Sequence, residues 1–113
     1  MKDDRVYLQH IRDSIARILE YTKGGSNEFM HDSKIQDAVI RNLEIIGEAV
    51  KHLSDDLRSP NSDIPWKQIA GMRDELIHEY FGVDAGIVWN VIAQHLPLLK
   101  EKIDNLLKNL GPA

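Results

Sequence analysis

The run Arg73-Asp74-Glu75-Leu76-Ile77-His78-Glu79-Tyr80 sets a permanent cation, a titratable imidazole and a phenol within a single octet. Those are the groups needed to cut RNA without a metal ion. Histidine titrates near neutral pH, so one imidazole can take the proton of a ribose 2′-hydroxyl while a protonated one gives a proton to the leaving oxygen. Arginine keeps its charge, and its planar fork can clamp a phosphate and stabilise the charge that builds on its oxygens. Asp74 stands four residues before His78, on the same side of a helix, where a carboxylate orients the imidazole and favours its protonated form. Tyr80 follows Arg73 by seven residues and falls nearly in register with it.

The spacing of Arg and His is weak evidence on its own. Arg5 and His10 repeat it, but Val6 follows that arginine and Arg12 stands where the downstream motif has its tyrosine. A helix-end His beside an Asp, with an Arg in a surface ion pair, also occurs in many inert domains. Geometry adds a constraint, because helix positions five apart diverge by about 140° and Arg73 and His78 do not share a face. Two arrangements resolve this: the helix ends near His78 so that its side chain can swing, or a two-fold partner brings a second motif against the first.

The elements that must hold these residues are helical throughout. Apolar residues recur at steps of three and four, with no sustained alternation, so the expected fold is an all-α bundle formed as one domain over residues 1–113. A first helix is expected from about Asp4 to Thr22, with Leu8, Ile11, Ile15, Ile18 and Leu19 on its buried side and Gly24-Gly25 ending it. Ser26 to His31 reads as a turn or a single helical turn, and Asp32 or Ser33 as the cap of a second helix. That second helix is expected to reach about Leu57 through Ile35, Val39, Leu43, Ile46, Val50 and Leu53. Ala38, Ile45 and Ala49 form a smaller stripe beside this one, suited to packing within the subunit or to a dimer contact.

Arg58 to Asp63 supplies turn residues, after which Pro65 opens a third helical region at a place where its missing N–H costs nothing. Gly71 is a possible joint within it. Phe81 to Asp84 should close the motif helix and cap the next, Ala85 to about Gln94. Pro97 then sits near the start of a last helix bearing Leu99, Ile103, Leu106, Leu107 and Leu110.

Composition narrows the functions available. The chain has 113 residues, no cysteine and a net charge of −4. Disulfides, thiolate nucleophiles and Cys-bound zinc are excluded, and a reducing cytoplasm is the expected setting. No apolar run is long enough to span a bilayer and the first residues lack the apolar core of a signal peptide, so no membrane association is expected. The acidic balance argues against a broad nucleic-acid-binding face and for local RNA contact, with no DNA binding expected. Lys and Arg are absent from Asp74 through Leu99, so charge for phosphate must come from Arg73, other helices or a second subunit.

Further candidates have plainer readings. Glu44 and Glu48 share a helical face and could hold a cation or Arg73, but local ion pairing with neighbours such as Arg41 and Lys51 is the simpler expectation. No metal or other cofactor is expected. Trp66 and Trp89 read as core or interface anchors rather than base-stacking platforms. His10, His31, His52 and His95 show no pattern.

Several runs together carry a family likeness. Arg41-Asn42-Leu43-Glu44-Ile45-Ile46-Gly47-Glu48-Ala49, then Ile64-Pro65-Trp66 with Ile69 and Met72, then Arg73 through Tyr80, Phe81-Gly82 and Val88-Trp89 resemble, in order and over nearly the whole chain, the HepT toxins of the HEPN superfamily. The resemblance implies a HEPN-like antiparallel helical bundle that forms a homodimer or a higher assembly of dimers. It implies a metal-independent endoribonuclease, the toxin of a toxin-antitoxin module, with Arg73 and His78 as the catalytic pair at the dimer cleft and Asp74 in the polar position after the Arg. Tyr80 takes the place of the tyrosine to which a partner MNT nucleotidyltransferase, the antitoxin, adds AMP. Relatives often carry Asn where this chain has Asp74, which adds negative charge near an anionic substrate. The leading alternative is a non-catalytic helical module that binds and assembles a nucleotidyltransferase; a third is a nucleotide-binding regulator that uses Arg73 as a phosphate anchor.

Overall fold

The computed structural model describes the backbone of residues 3–78 and 84–111 and, within those stretches, every side chain except those of 73–78. All regular structure among the described residues is helical, as the spacing predicts. Helix α1 spans Asp4–Tyr21, α2 Ser26–His31, α3 Ser33–Lys51, α4 Asp55–Arg58, α5 Trp66–His78, α6 Ala85–Asn90 and α7 Leu96–Leu110. A 3₁₀ turn, Ser59–Asn61, follows α4, and a π turn, Val91–His95, joins α6 to α7.

Polar caps fix where the helices begin. Asp3 accepts the Arg5 N–H ahead of α1, Asp32 accepts the N–H groups of Lys34 and Ile35 ahead of α3, and Asp84 those of Gly86 and Ile87 ahead of α6. Each carboxylate satisfies amides that the helix leaves without an internal partner. Between α1 and α2 the chain turns at Gly25, whose φ of 93° lies in the left-handed region that suits a residue without a Cβ. Thr22 closes α1, its hydroxyl donating to the Ile18 carbonyl at 2.7 Å.

α3 lies at the centre, packed against α1 on one side and α5 on the other, and α7 closes against α1. The core follows the predicted stripes: Leu8, Ile11, Ile15 and Ile18 of α1 meet Val39, Leu43, Ile46 and Val50 of α3, with Ile103 from α7, all essentially inaccessible to solvent. Trp66 is buried, and Trp89 packs against the cluster with its ring 5.5 Å from that of Phe29, so both tryptophans are anchors as expected.

Three boundaries differ from expectation. The second helix stops at Lys51, not near Leu57, although Leu53 and Leu57 remain buried. Ser54 is the reason. Its hydroxyl accepts the Leu57 N–H to begin α4 and donates to Asp4 Oδ2 at 2.6 Å, while its own N–H reaches Asp4 Oδ1 at 2.8 Å. A tertiary clasp to α1 has displaced the continuing helix, although the apolar period runs on through the break.

Gly71 marks no joint, since α5 runs unbroken through it with open space where a Cβ would sit. Pro65 lies one residue before α5, where its carbonyl accepts the Ile69 N–H. Pro97 sits at the second residue of the last helix, as expected, but α6 gives way at Asn90, short of Gln94, to the π turn that runs directly into α7. Pro97 lacks the N–H that would bond back into the preceding turn, and the wider ring, with Leu96 N–H on the Val91 carbonyl, absorbs that loss.

The lead-in to α5 is also clamped from α7. Lys102 meets the Asp63 carboxylate at 3.0 Å and holds its pKa below the usual carboxylate value, chiefly through their hydrogen bond. A lowered pKa means that the clamp is complete at neutral pH and is lost as pH falls through the folded-state value. Among the described residues no helix is long and apolar enough to cross a membrane.

Candidate functional site

The helix that bears the motif is set by its first turn. Ile64 is buried, and the Trp66 indole N–H donates to the Asn61 carbonyl at 3.1 Å, which fixes the approach of the chain. Ile69, Ala70 and Met72 then pack against the core and hold α5 beside α3. Arg73, Asp74 and His78 occupy the C-terminal part of this helix. Their side chains lie outside the described residues, and so does Tyr80 altogether.

The backbone nonetheless bears on the geometric constraint. α5 is helical without interruption from Trp66 to His78, so Asp74 and His78 share a side whereas Arg73 and His78 stand about 140° apart around the axis. Positions 73 and 78 of one such helix therefore do not fall on a common face.

A second set of functional groups converges between α1 and α3. Tyr7 stacks on His52 with ring centroids 5.0 Å apart and planes inclined by 14°, and His10 approaches the same tyrosine edge-on at 6.0 Å. His52 Nε2 lies 3.4 Å from Glu48, and its Nδ1 is buried with no hydrogen-bond partner in the structure. Arg41 reaches Glu44 at 3.8 Å. Together with Ile45 and Ala49 these residues line an open groove of about 310 Å³.

The local ion-pair reading holds for Glu44, through Arg41, and Glu48 has the His52 ring among its contacts. His52 and His10 are not scattered surface residues. Their place depends on the antiparallel apposition of α1 and α3, which brings Tyr7 to His52 and Asp4 to Ser54 across a separation of more than forty residues. The i,i+4 pair Glu48 and His52 was the one local signal available. The other histidines have plain roles: the His31 ring meets the Asn27 carbonyl at 2.8 Å, and His95 is exposed. Among the described residues, no three His, Asp or Glu side chains are grouped so as to hold a metal ion.

Comparison with known proteins places these elements in a family. The family model described as "Ribonuclease HepT-like" matches residues 11–106, from the middle of α1 to near the end of α7, and so includes the whole octet. A Methanocaldococcus jannaschii protein named "Gamma-glutamylcyclotransferase and putative RNase MJ0434" is 49% identical over 110 residues, which are 96% of this chain and 50% of that protein. The chain thus spans half the length of that relative. A protein of Caldanaerobacter subterraneus subsp. tengcongensis named "Putative RNase TTE0752" is 47% identical over 109 residues, 96% of this chain and 97% of its own. A Thermococcus cleftensis protein named "Probable ribonuclease HepT" is 46% identical over 103 residues, 90% of this chain and 94% of its own. No solved structure matches the chain. With the family model covering most of its length and relatives alike from end to end, this chain belongs to the ribonuclease HepT-like family.

Proposed function

We propose that the chain is a metal-independent endoribonuclease, the toxin of a two-gene module, acting as one HEPN-like domain per subunit in a homodimer. The observation that carries this reading is the extended motif Arg73, Asp74, His78 and Tyr80 inside a ribonuclease-family match that covers it completely. His78 takes the 2′-hydroxyl proton of the RNA, and the 2′-oxygen attacks the adjacent phosphorus. The bond to the 5′-oxygen breaks, and a protonated His78 from the other subunit supplies the proton that this oxygen needs. Arg73 binds the phosphate and stabilises its extra charge, and Asp74 orients His78. Positions 73 and 78 diverge on α5, and two motifs facing one another across a two-fold axis would supply a cation and an imidazole to one cleft.

Cleavage of RNA by freshly purified, unmodified protein in excess EDTA tests the proposal. Undiminished cleavage is the expected result; loss of activity in EDTA, restored by a divalent ion, would remove the metal-free mechanism.

We assign control of the activity to Tyr80, seven residues after Arg73 in the sequence. AMP added to its phenol by a partner MNT nucleotidyltransferase would put bulk and negative charge beside the place where RNA phosphate must sit. Protein co-produced with such a partner is expected to gain mass in whole AMP units, and Tyr80→Phe protein to gain none. A stable complex with neither added mass nor RNA cleavage by the unmodified chain would favour the assembly-module reading instead.

A further inference from the structure

We infer that the groove face of α3 is where a second copy of this chain seats, with Arg41 of each copy against Glu48 of the other on either side of an Ile45 contact. The inference rests on the dimer reading above and gives it a surface.

The residues of this face have the period of a second helix-packing seam. Ala38, Ile45 and His52 follow one another at steps of seven, with Arg41, Glu48 and Ala49 between them. The main stripe of α3 is consumed by the core: Val39, Leu43, Ile46 and Val50 are completely or almost completely covered. The second stripe is covered only in part, Ala49 being buried while Ala38 and Ile45 are half-buried. Ile45 and Ala49 form the floor of the groove, and Ile45 stays partly accessible. Small residues at 38 and 49 leave room for a close approach, so an apolar centre is flanked by charge of both signs.

The order of those charges selects a copy of the chain itself. A two-fold axis crossing α3 midway between Glu44 and Ile45 sets this helix antiparallel to its twin, so residues equally far from that point on opposite sides face each other. Arg41 and Glu48 are equally far from it on opposite sides, which brings cation to carboxylate twice over. Within one chain these two are seven apart. Arg41 instead makes a long contact of 3.8 Å with Glu44 and leaves 72% of its side chain exposed. Glu48 is half exposed, with His52 among its contacts. A surface offering the same patch to itself, with opposite charges related by the axis, is what an isologous interface requires.

Sedimentation of the full chain over a range of concentrations, with Arg41→Glu and Glu48→Arg made separately, tests the inference. Wild-type protein should be dimeric. Each variant alone sets like charges together twice and should raise the dissociation constant by about 10- to 100-fold. An equimolar mixture of the two should recover wild-type association, because in the mixed dimer both pairs are again of opposite sign. Recovery also shows that each variant is folded, and pairing within one chain cannot produce it. A monomeric wild type, single variants that associate normally, or a mixture no tighter than its components would each overturn the assignment. RNA cleavage separates the two readings: charge-swap recovery without cleavage leaves the surface standing and removes the ribonuclease, whereas a cleaving dimer indifferent to both substitutions removes the surface alone.

Discussion

Substitution of His78 by alanine should lower RNA cleavage by about 10²- to 10⁴-fold, the range lost with a positioned general acid or base. The effect should appear in the single-turnover rate with enzyme in excess over RNA and above the binding constant, because a proton carrier acts on the chemical step more than on association. His78 falls in the last turn of a helix held by Trp66, Ile69 and Met72 at its other end, so the variant should melt close to the wild-type temperature. In a two-fold site each cleft has a histidine from either subunit, and alanine removes the proton acceptor and the proton donor together. Mixed dimers with one intact His78 should therefore fall well below half of wild-type activity. Alanine protein that keeps more than a tenth of the wild-type rate would dismiss His78 as the proton carrier.

Loss of the Phe29 ring should cost about 3–5 kcal/mol, the range for removing a fully buried aromatic side chain. For a domain of this size that corresponds to a melting temperature lower by roughly 10 to 20 °C. Phe29 is only 1% exposed and is the one buried residue of the six-residue helix α2. A helix that short has little stability of its own, so its position depends on this anchor. The backbone is fastened at the same place, where the Gln36 side-chain amide donates to the Phe29 carbonyl at 2.8 Å. α2 also packs on α6, with Phe29 against Trp89, so the cavity would loosen the start of the last helical run as well. Urea denaturation of Phe29→Ala beside Phe29→Leu checks this: leucine should recover more than half of the loss, and equal stability of alanine and wild type would mean that the ring is not packed as described.

What the sequence disclosed and what it withheld follow from the range of the interactions involved. Local patterns were readable: the α1 and α3 stripes, the Asp32 and Asp84 caps and the Gly25 turn each depend on residues a few positions apart. The end of α3 was not, because the apolar period through Leu53 and Leu57 survives a break dictated by Asp4, fifty residues away. In the run from Ala85 to Leu110, Pro97 near the start of the last helix was readable but the π turn before it was not. The buried residues Val88, Ile92 and Leu96 advance by fours. Steps of four lead the turn of an α-helix and lag that of a π turn, so a π turn among them keeps one face inward. For the chemistry, residue types and spacing pointed to Arg73 and His78, while the groove histidines came to light only when α1 was laid against α3.

The clasp between Asp4 and Ser54 also orders events in time. Both of its residues, and nearly all of the α1 and α3 core, are synthesised before Trp66. As a chain leaves the ribosome N-terminus first, its early half can pair α1 with α3 and lock the joint while Arg73 and His78 have yet to be added. The helix that bears the reactive groups is then a late arrival, docking on a surface already made.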